Sequence, residues 1–414
     1  MQVLIAVETH YEYGPNGDIY AEGPAKYSFW SNYLATFDEV IVVARVGAHR
    51  RPVREEARAD GPSVSFCALP DYHGPWQYLQ KLPALKTRVR EAVKKSDAFI
   101  LRVPGLVGRL AWEEIKRQRK RYALEVVGDP WDAFGPGTWP SVFRPVFRRV
   151  ATRDLKAMCR GAVAVHYVTQ GALQKRYPPS ADAYVAHFSD ALMDSAFASP
   201  AVQAERFRRI QTMGASEDGE KPFRVGFIGS LSQLYKGPDV LLRAVALCRL
   251  RGLDFETVMV GEGRCAELMK ALARRVGIAD RTRFLGQLPF GEAVFEFLDS
   301  IDLFVMPSRA EGLPRALLEA MARGCPCIAS DVGGIPELLP PGDLVRPRNP
   351  AALAEKIVEV ARNPERLKQM AKQNLAKARE FSPELLKDVR QDFCRFVRTQ
   401  SEARANGGGR DAAS

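Results

Sequence analysis

Several patterns that define other classes of protein are missing from this chain. No apolar run reaches the roughly 18 residues that a membrane-spanning helix needs. The seven cysteines show neither a paired disulfide framework nor a CxxC zinc pattern, and His49 and His73 are unclustered and show no metal-ligand spacing. Met1 leads directly into an apolar strand candidate, without a basic leader and cleavage site. We therefore expect a cytoplasmic protein without a structural metal.

Acidic residues are outnumbered by basic ones, which gives a net charge of +11. A membrane surface, a nucleic acid and a phosphorylated substrate are the candidate anionic partners. Basic residues cluster at 116–121 and in a second segment, where Arg144, Arg148, Arg149, Arg153, Lys156 and Arg160 alternate with Phe143, Val146, Phe147, Val150 and Leu155. This amphipathic pattern favours peripheral attachment to an anionic membrane, at the inner face of the cell membrane. A simple solvated face is an equally open interpretation.

The length of 414 residues indicates two domains, because single cores rarely grow so large. Strand and helix candidates alternate in each half of the chain, which predicts two parallel sheets covered by helices. We assign residues 1–205 to a first domain and 222–382 to a second, joined through an exposed linker at 213–221. An amphipathic helix candidate follows at 383–400, and then a disordered tail at 401–414.

The segment from Asp302 to Leu339 carries the most specific pattern. An apolar strand candidate at 303–306 ends in a loop with Glu311 and Gly312, and Pro314 then begins a helix that contains Glu319. A helix start of this kind aims the amides of Gly312 and Leu313 at a bound anion. The two carboxylates are well spaced to accept hydrogen bonds from the hydroxyl groups of a sugar and a ribose, although most glutamates merely face solvent.

The stretch EGLPRALLEAMARGCPCIASDVGGIPELL resembles the signature of the family 4 retaining glycosyltransferases, also called glycosyl transferases group 1. The resemblance is strong from about 223 to 383. It implies the GT-B fold, an α/β architecture of two doubly wound Rossmann-like domains facing across a cleft. In that fold the terminal helix, here 383–400, packs back on the first domain. It also implies that Glu311 and Glu319 bracket the sugar and the ribose of a nucleoside diphosphate sugar.

A second stretch, GSLSQLYKGPDVLLRAV, resembles the phosphate loop of the same family. Lys236 stands before a helix start, where an ammonium group neutralises diphosphate charge. Many members have arginine where this chain has Ser230, after Gly229. A hydroxyl carries no charge, so we expect Arg309 or Arg315 to compensate.

Further glycines follow other strand candidates and let the backbone approach a ligand. The segments VGEG and FLGQL resemble parts of the family that line the nucleotide pocket, although glycine after a strand is also ordinary turn chemistry. The expected site for the sugar donor consists of Gly229, Ser230, Lys236, Gly261, Gly263, Gly286, Leu288, Glu311, Gly312, Leu313, Arg315 and Glu319. Glu311 and Lys236 are the expected catalytic residues.

The first half offers weaker candidates for the acceptor. They follow strand candidates or lie in loops: Gly14, Gly17, Arg102, Asp129 and Asp132. Capping of turns is nearly as good an explanation for the two aspartates. Family members often have a histidine near the end of the strand at 98–103, and this chain has none there.

The resemblance implies transfer of a sugar from a UDP-, GDP- or ADP-sugar to a hydroxyl of a saccharide or lipid-linked acceptor, in polysaccharide or glycolipid biosynthesis. We expect neither a cofactor nor an essential metal, because the chain has no Asp-x-Asp motif. A sugar-nucleotide epimerase of the same fold is the alternative enzyme. A non-enzymatic basic protein that binds membrane or nucleic acid is the alternative from another class, although no nucleic-acid motif is present.

Overall fold

The chain is described here by a computed structural model that covers residues 1–21, 23–48, 55–135, 142–189, 196–212, 222–253 and 255–407. The predicted linker at 213–221 and the end of the predicted tail at 408–414 lie outside these residues. The described part divides into two compact units. The first comprises Met1–Gly128, Ala151–Phe188 and Leu386–Ser414, and the second comprises Asp129–Val150 and Ser189–Leu385.

The first unit is built on an eight-stranded sheet in the order β4-β3-β1-β5-β6-β7-β8, with β2 paired antiparallel to β1 and all other pairs parallel. Its strands are β1 Gln2–Tyr13, β2 Ile19–Ala21, β3 Glu39–Gly47, β4 Val64–Pro70, β5 Ala98–Val103, β6 Ala123–Val126, β7 Ala164–Tyr167 and β8 Tyr184–His187. The central strands are apolar on both faces because helices cover both sides of the sheet.

The helices in this half of the sequence are α1 Tyr27–Trp30, α2 Gly74–Lys95, α3 Leu106–Arg117, α4 Pro130–Ala133, α5 Arg144–Gly161, α6 Ala172–Arg176 and α7 Pro200–Thr212. α1 is a single α-turn that continues as a 3₁₀ turn at Ser31–Ala35. Arg206 of α7 is buried and donates to the carbonyls of Leu298 and Ile301, which holds α7 in the second unit. This division differs from the boundary at 205 that the sequence suggested.

The second unit contains a six-stranded parallel sheet in the order β11-β10-β9-β12-β13-β14. Its strands are β9 Arg224–Ile228, β10 Glu256–Val260, β11 Thr282–Gly286, β12 Leu303–Met306, β13 Cys327–Ser330 and β14 Leu344–Val345. Its helices are α8 Pro238–Leu250, α9 Ala266–Arg275, α10 Glu292–Ser300, α11 Arg315–Ala322, α12 Pro350–Ala361 and α13 Pro364–Arg379. The two parallel Rossmann-like sheets confirm the predicted fold class.

The last helix, α14 Pro383–Gly407, is longer than the sequence suggested, so residues 401–407 of the predicted tail are helical. Its apolar residues Phe393 and Phe396 pack within the first unit. Phe396 stacks on Tyr184 at 4.9 Å between ring centroids, and Phe393 lies 6.0 Å from the ring of His166. These aromatic contacts tie the end of the chain to β7 and β8.

Candidate active site

The order of the second sheet locates a crevice between β9 and β12. From β9 the chain proceeds outward to β10 and β11 on one side, and the later strands β12 to β14 lie on the other side. Loops that follow adjacent strands diverge at such a switch point, and ligands of doubly wound sheets bind there, beyond the carboxyl ends of the strands. The loop at 229–237 follows β9 and the loop at 307–314 follows β12, so both expected catalytic residues belong to this crevice.

The backbone of these loops is closely interlocked around glycine. A side-chain carbon on Gly261 would lie 1.9 Å from the carbonyl oxygen of Gly229, and one on Gly237 would lie 2.0 Å from the carbonyl oxygen of Pro307. Both glycines also have positive φ angles, 140° and 72°, which side chains disfavour. The main chains after β9, β10 and β12 therefore pack directly against one another.

Lys236 and Glu311 meet in this crevice. The Lys236 ammonium nitrogen lies 2.8 and 2.9 Å from the two carboxylate oxygens, and the Ser308 hydroxyl donates to Oε1 of Glu311 at 2.6 Å. Burial is the largest single influence and lowers the pKa of Lys236, but the charge of Glu311, the nearby Tyr235 and the hydrogen bonds to Glu311 together raise that pKa above its ordinary value. The lysine therefore stays charged, and only 6% of the Glu311 side chain is exposed.

Glu319 lies on α11 beside Arg315. The guanidinium of Arg315 is 3.3 Å from Oε1 of Glu319 and sits over the Phe290 ring at 4.7 Å from its centroid. Burial raises the pKa of Glu319 above its ordinary value, and the charge of Arg315 offsets only part of this shift. α11 begins at Arg315, with Pro314 as its N-cap, so Pro314 precedes the helix instead of opening it.

The two arginines proposed to compensate for Ser230 differ in their surroundings. Arg309 pairs with Asp239 at 2.6 Å, and its amide donates to the Tyr235 carbonyl at 2.6 Å. It thereby fastens the loop after β12 to the loop after β9. Arg315 contacts Glu319 and the Phe290 ring and does not join the two loops, so it stays the better candidate for contact with a diphosphate.

The remaining residues expected to bind the sugar donor lie in the loops around the same sheet edge. Ser230 is exposed, and its hydroxyl accepts from the Ser232 amide at 3.2 Å. The Gly312 carbonyl accepts from Gly334 at 2.8 Å, which joins the loop after β12 to the glycine pair after β13. Half-buried positions in these loops are Gly229, Gly261, Gly263, Gly286, Leu288 and Leu313.

The five residues expected to contact the acceptor belong to different elements of the described structure. Gly14 and Gly17 shape the turn from β1 to β2, where the Gly17 amide donates to the Gly14 carbonyl at 3.1 Å. Arg102 forms an ion pair with Glu125, which also accepts from Tyr33 at 2.6 Å. Asp129 caps α4 by accepting from the Trp131 amide at 2.8 Å, and both Asp129 and Asp132 belong to the second unit.

A polar cluster that the sequence analysis missed lies at the switch point of the first sheet, between β1 and β5. Oε2 of Glu8 accepts from the Val107 amide at the start of α3 at 2.9 Å, and its Oε1 accepts from the Tyr72 hydroxyl at 3.0 Å. Arg45 lies 3.1 Å from Oε1 of Glu8. Glu8 could have been recognised as a candidate site residue, because it directly follows the apolar run 3–7.

Two histidines flank a carboxylate near this cluster. Nδ1 of His10 lies 3.0 Å from Asp71, Nε2 of His73 lies 3.1 Å from the same carboxylate, and the two rings stack at 5.4 Å. Burial, followed by the charge of Arg45, lowers the pKa of His10. His73 is therefore not isolated, because residues far apart in sequence meet at the carboxyl ends of β1 and β4.

Comparison with known proteins agrees with this architecture. Residues 222–363 match the family model described as Glycosyl transferases group 1. Protein CapJ of Staphylococcus aureus is 25% identical over 80% of this chain and 79% of its own length. D-inositol 3-phosphate glycosyltransferase of Streptomyces avermitilis is 32% identical, over 44% of this chain and 43% of its own length.

Two solved structures show the same fold over nearly the whole chain. Sucrose-phosphate synthase from Thermosynechococcus elongatus has a TM-score of 0.72 at 17% identity, covering 96% of this chain and 99% of its own. Anabaena HepE in complex with UDP-glucose has a TM-score of 0.65 at 18% identity, covering 96% and 100%. The fold is thus that of the GT-B class of glycosyltransferases. Residues 222–363 match the Glycosyl transferases group 1 family, as the sequence resemblance predicted.

Proposed function

We propose that this protein is a retaining glycosyltransferase, which moves a sugar from a nucleoside diphosphate sugar to a hydroxyl of a saccharide or lipid-linked acceptor. The observation that carries the proposal is the buried contact of Lys236 with Glu311 at the switch point of the second sheet. A charged ammonium suits a diphosphate, and a carboxylate suits the hydroxyls of the attached sugar.

The same pair explains how the buried charges are compensated before and after a ligand binds. Without a ligand the two charges compensate each other, which limits the cost of burying them. A diphosphate competes with Glu311 for the ammonium and leaves the carboxylate to accept from sugar hydroxyls. Glu319, four residues after Arg315, then accepts from the ribose.

In the proposed reaction the acceptor oxygen attacks the anomeric carbon from the face that the diphosphate leaves. The bond between the anomeric carbon and the phosphate oxygen breaks, the new glycosidic bond forms, and the acceptor proton passes to the departing phosphate oxygen. Lys236 stabilises the charge that develops on the diphosphate, so catalysis rests on positioning and electrostatics. No side chain acts as a nucleophile, and no cofactor enters these steps.

The known proteins guide the choice of substrates. HepE has been solved with UDP-glucose, and WaaG, with a TM-score of 0.61, is a glycosyltransferase involved in lipopolysaccharide biosynthesis. We propose a UDP-sugar as the first donor to test, with GDP- and ADP-sugars beside it, and a polysaccharide or glycolipid acceptor. We further propose that the protein works in the cytoplasm at an anionic membrane, which its net charge of +11 favours. Among the described helices, none is long and apolar enough to cross a bilayer.

A panel of sugar nucleotides tests the proposal. The correct sugar donor is expected to raise the melting temperature, because a ligand of the folded state stabilises it by mass action. Glu319→Ala should remove most of that rise. With an acceptor present, the products should be free nucleoside diphosphate and a glycoside of unchanged anomeric configuration. An altered sugar nucleotide without free diphosphate would indicate epimerisation instead, and an inverted product would refute retention.

A further inference from the structure

Helix α2 carries an exposed stripe that the transferase site does not use. Side chains three or four residues apart share one face of a helix. On this face the exposed residues are apolar near the start of the helix and basic toward its end: Trp76, Leu79, Pro83, Lys86, Arg90 and Lys94. The stripe thus has an apolar end and a cationic end.

The opposite face of α2 is firmly packed, so the exposure of the stripe does not reflect a detached helix. Leu85, Val89 and Val93 are buried, and the helix packs on β4 and α3. The first turn is also held, because the Gln77 side chain accepts from the His73 amide at 2.8 Å and Tyr78 packs edge-on against Tyr72.

Trp76 is the most unusual member of the stripe. Its exposed fraction is 78%, whereas the next most exposed tryptophan of the described residues, Trp131, reaches 37%. Tryptophan has a large apolar ring with one polar N–H, a combination that suits the boundary between water and lipid. Exposing it to water has no benefit for the fold.

We propose that this stripe of α2 docks the protein on an anionic lipid surface, with Trp76 and Leu79 inserted among the headgroups and the basic end held against lipid phosphates. The helix has six basic residues and one acidic residue, so its charge complements such a surface. Helices that lie in a membrane interface likewise combine tryptophan and leucine with lysine and arginine, and clusters of basic residues bind anionic lipid headgroups. Nucleic acid would match the charge but not the exposed Leu79 and Pro83.

The amphipathic basic segment at 143–160 also has exposed apolar residues at its start and exposed basic residues after them. Val142 is 88% exposed, and Phe143, Val146 and Phe147 are exposed as well, next to the first turn of α5. Exposed basic residues follow along this helix at Arg149, Arg153 and Arg160. α5 also has six basic residues and one acidic residue. Stable attachment to a bilayer generally needs more than one weak signal, and α5 supplies the second.

Docking through α2 rests on the membrane association proposed above, and it can be measured without enzymatic turnover. Vesicle binding of the full chain therefore tests it. We expect co-sedimentation with phosphatidylcholine vesicles that contain phosphatidylglycerol, and little with phosphatidylcholine alone. Lys86→Gln/Lys94→Gln should lower the partition coefficient about 30-fold, the effect of two basic residues at an anionic surface. The matched control Arg274→Gln/Lys372→Gln removes two exposed basic residues of the second unit and should change it little.

The apolar end is tested separately. Trp76→Ser/Leu79→Ser should lower partition at least about tenfold, while Leu250→Ser/Leu268→Ser, two exposed leucines of the second unit, should not. Melting temperature and the shift caused by UDP are measured for every variant. They should stay unchanged, which separates loss of docking from failure of the fold or of the proposed transferase site.

Brominated lipids give a direct readout, because they quench a tryptophan only when it enters the bilayer. Quenching should be strong in the wild type and largely lost in Trp76→Phe, which keeps the binding. Three outcomes would overturn the proposal: equal partition of the stripe and control variants, unchanged quenching in Trp76→Phe, or binding to nucleic acid in place of vesicles.

Discussion

The Lys236 ammonium lies within 2.9 Å of both carboxylate oxygens of Glu311. The two residues come from loops that follow different strands, and each neutralises the other in a place with little solvent. Any anion that enters must compete for the lysine with a carboxylate already in place. Substitutions in this pair should therefore change the stability of the fold and the rate of transfer to different extents.

Replacing Lys236 with Met should lower kcat by about 10² to 10³-fold, since it removes charge stabilisation of the leaving diphosphate. The variant should also lose about 3 kcal/mol of unfolding free energy, because Glu311 is left buried without its counter-ion. Adding Glu311→Gln should recover much of the stability but none of the turnover. Lys270→Met, which breaks an exposed pair with Glu267, is the control. A fully active double variant would contradict the assigned roles.

Arg315→Ala should slow transfer by about tenfold to a hundredfold, in line with the loss of one hydrogen bond from a charged group. The physical reason is that Arg315 stands in for the arginine that Ser230 replaces. Arg243→Ala, at an exposed position on α8, serves as the comparison. Steady-state kinetics that are equal for the two variants would reject the compensation.

Glu319, whose side chain is only 14% exposed, predicts a pH dependence of stability. Its pKa is raised from the ordinary value of 4.5, so the folded state binds the proton more tightly than the unfolded state. This stabilisation is present below that value and is lost as the pH rises through the folded pKa. Glu319→Gln should therefore gain melting temperature relative to the wild type as the pH rises, while its binding of sugar nucleotide weakens. Parallel melting curves at every pH would show that Glu319 does not titrate in this way.

Alanine substitutions at two glycines with the same backbone conformation distinguish the cost of a steric clash from the cost of backbone strain. Gly237 has a φ of 72° and Gly277 has 73°, but only Gly237 has a neighbour, the Pro307 carbonyl, within reach of an added side chain. Gly277→Ala should lower the free energy of unfolding by about 1 kcal/mol, because alanine disfavours the left-handed conformation. Gly237→Ala should cost at least about twice as much and should also weaken donor binding, because the two loops must separate. Denaturant titration of both variants measures the difference.

Treatment with a strong chelator should leave turnover unchanged. Lys236, Arg315 and the backbone amides near Gly312 are expected to supply the positive potential that a divalent ion gives in other transferases. The measurement is product formation before and after exhaustive treatment with EDTA. Complete loss that manganese restores would count against this expectation.

The periodicity of apolar residues was enough to predict the two sheets, because parallel strands buried on both faces form short continuous apolar runs such as Val3–Val7 and 303–306. The strands β2, β8 and β14 were not predicted, since each has four residues or fewer and pairs with a single described strand. Pro314 was placed inside the helix although it caps it. A proline satisfies both positions equally well in sequence, so this difference of one residue needs the structure.

Some residues of the candidate sites could likewise be predicted from the sequence and others could not. Glu311 and Lys236 were predicted because they lie in long local motifs. Glu8, Asp71 and Trp76 were not, because their significance depends on which distant elements pack beside them. A tryptophan in an amphipathic helix usually belongs to the core, and only the buried face formed by Leu85, Val89 and Val93 shows that Trp76 points outward.

The packing of Gly261 against the carbonyl of Gly229 has a practical consequence for engineering. Loops in direct main-chain contact tolerate neither insertion nor bulk at these glycines, so libraries that vary loop length would mostly yield misfolded enzyme. A change of sugar preference is better sought by recombining side chains at Ser230, Leu288 and Leu313, which alter the lining of the site and leave its framework intact.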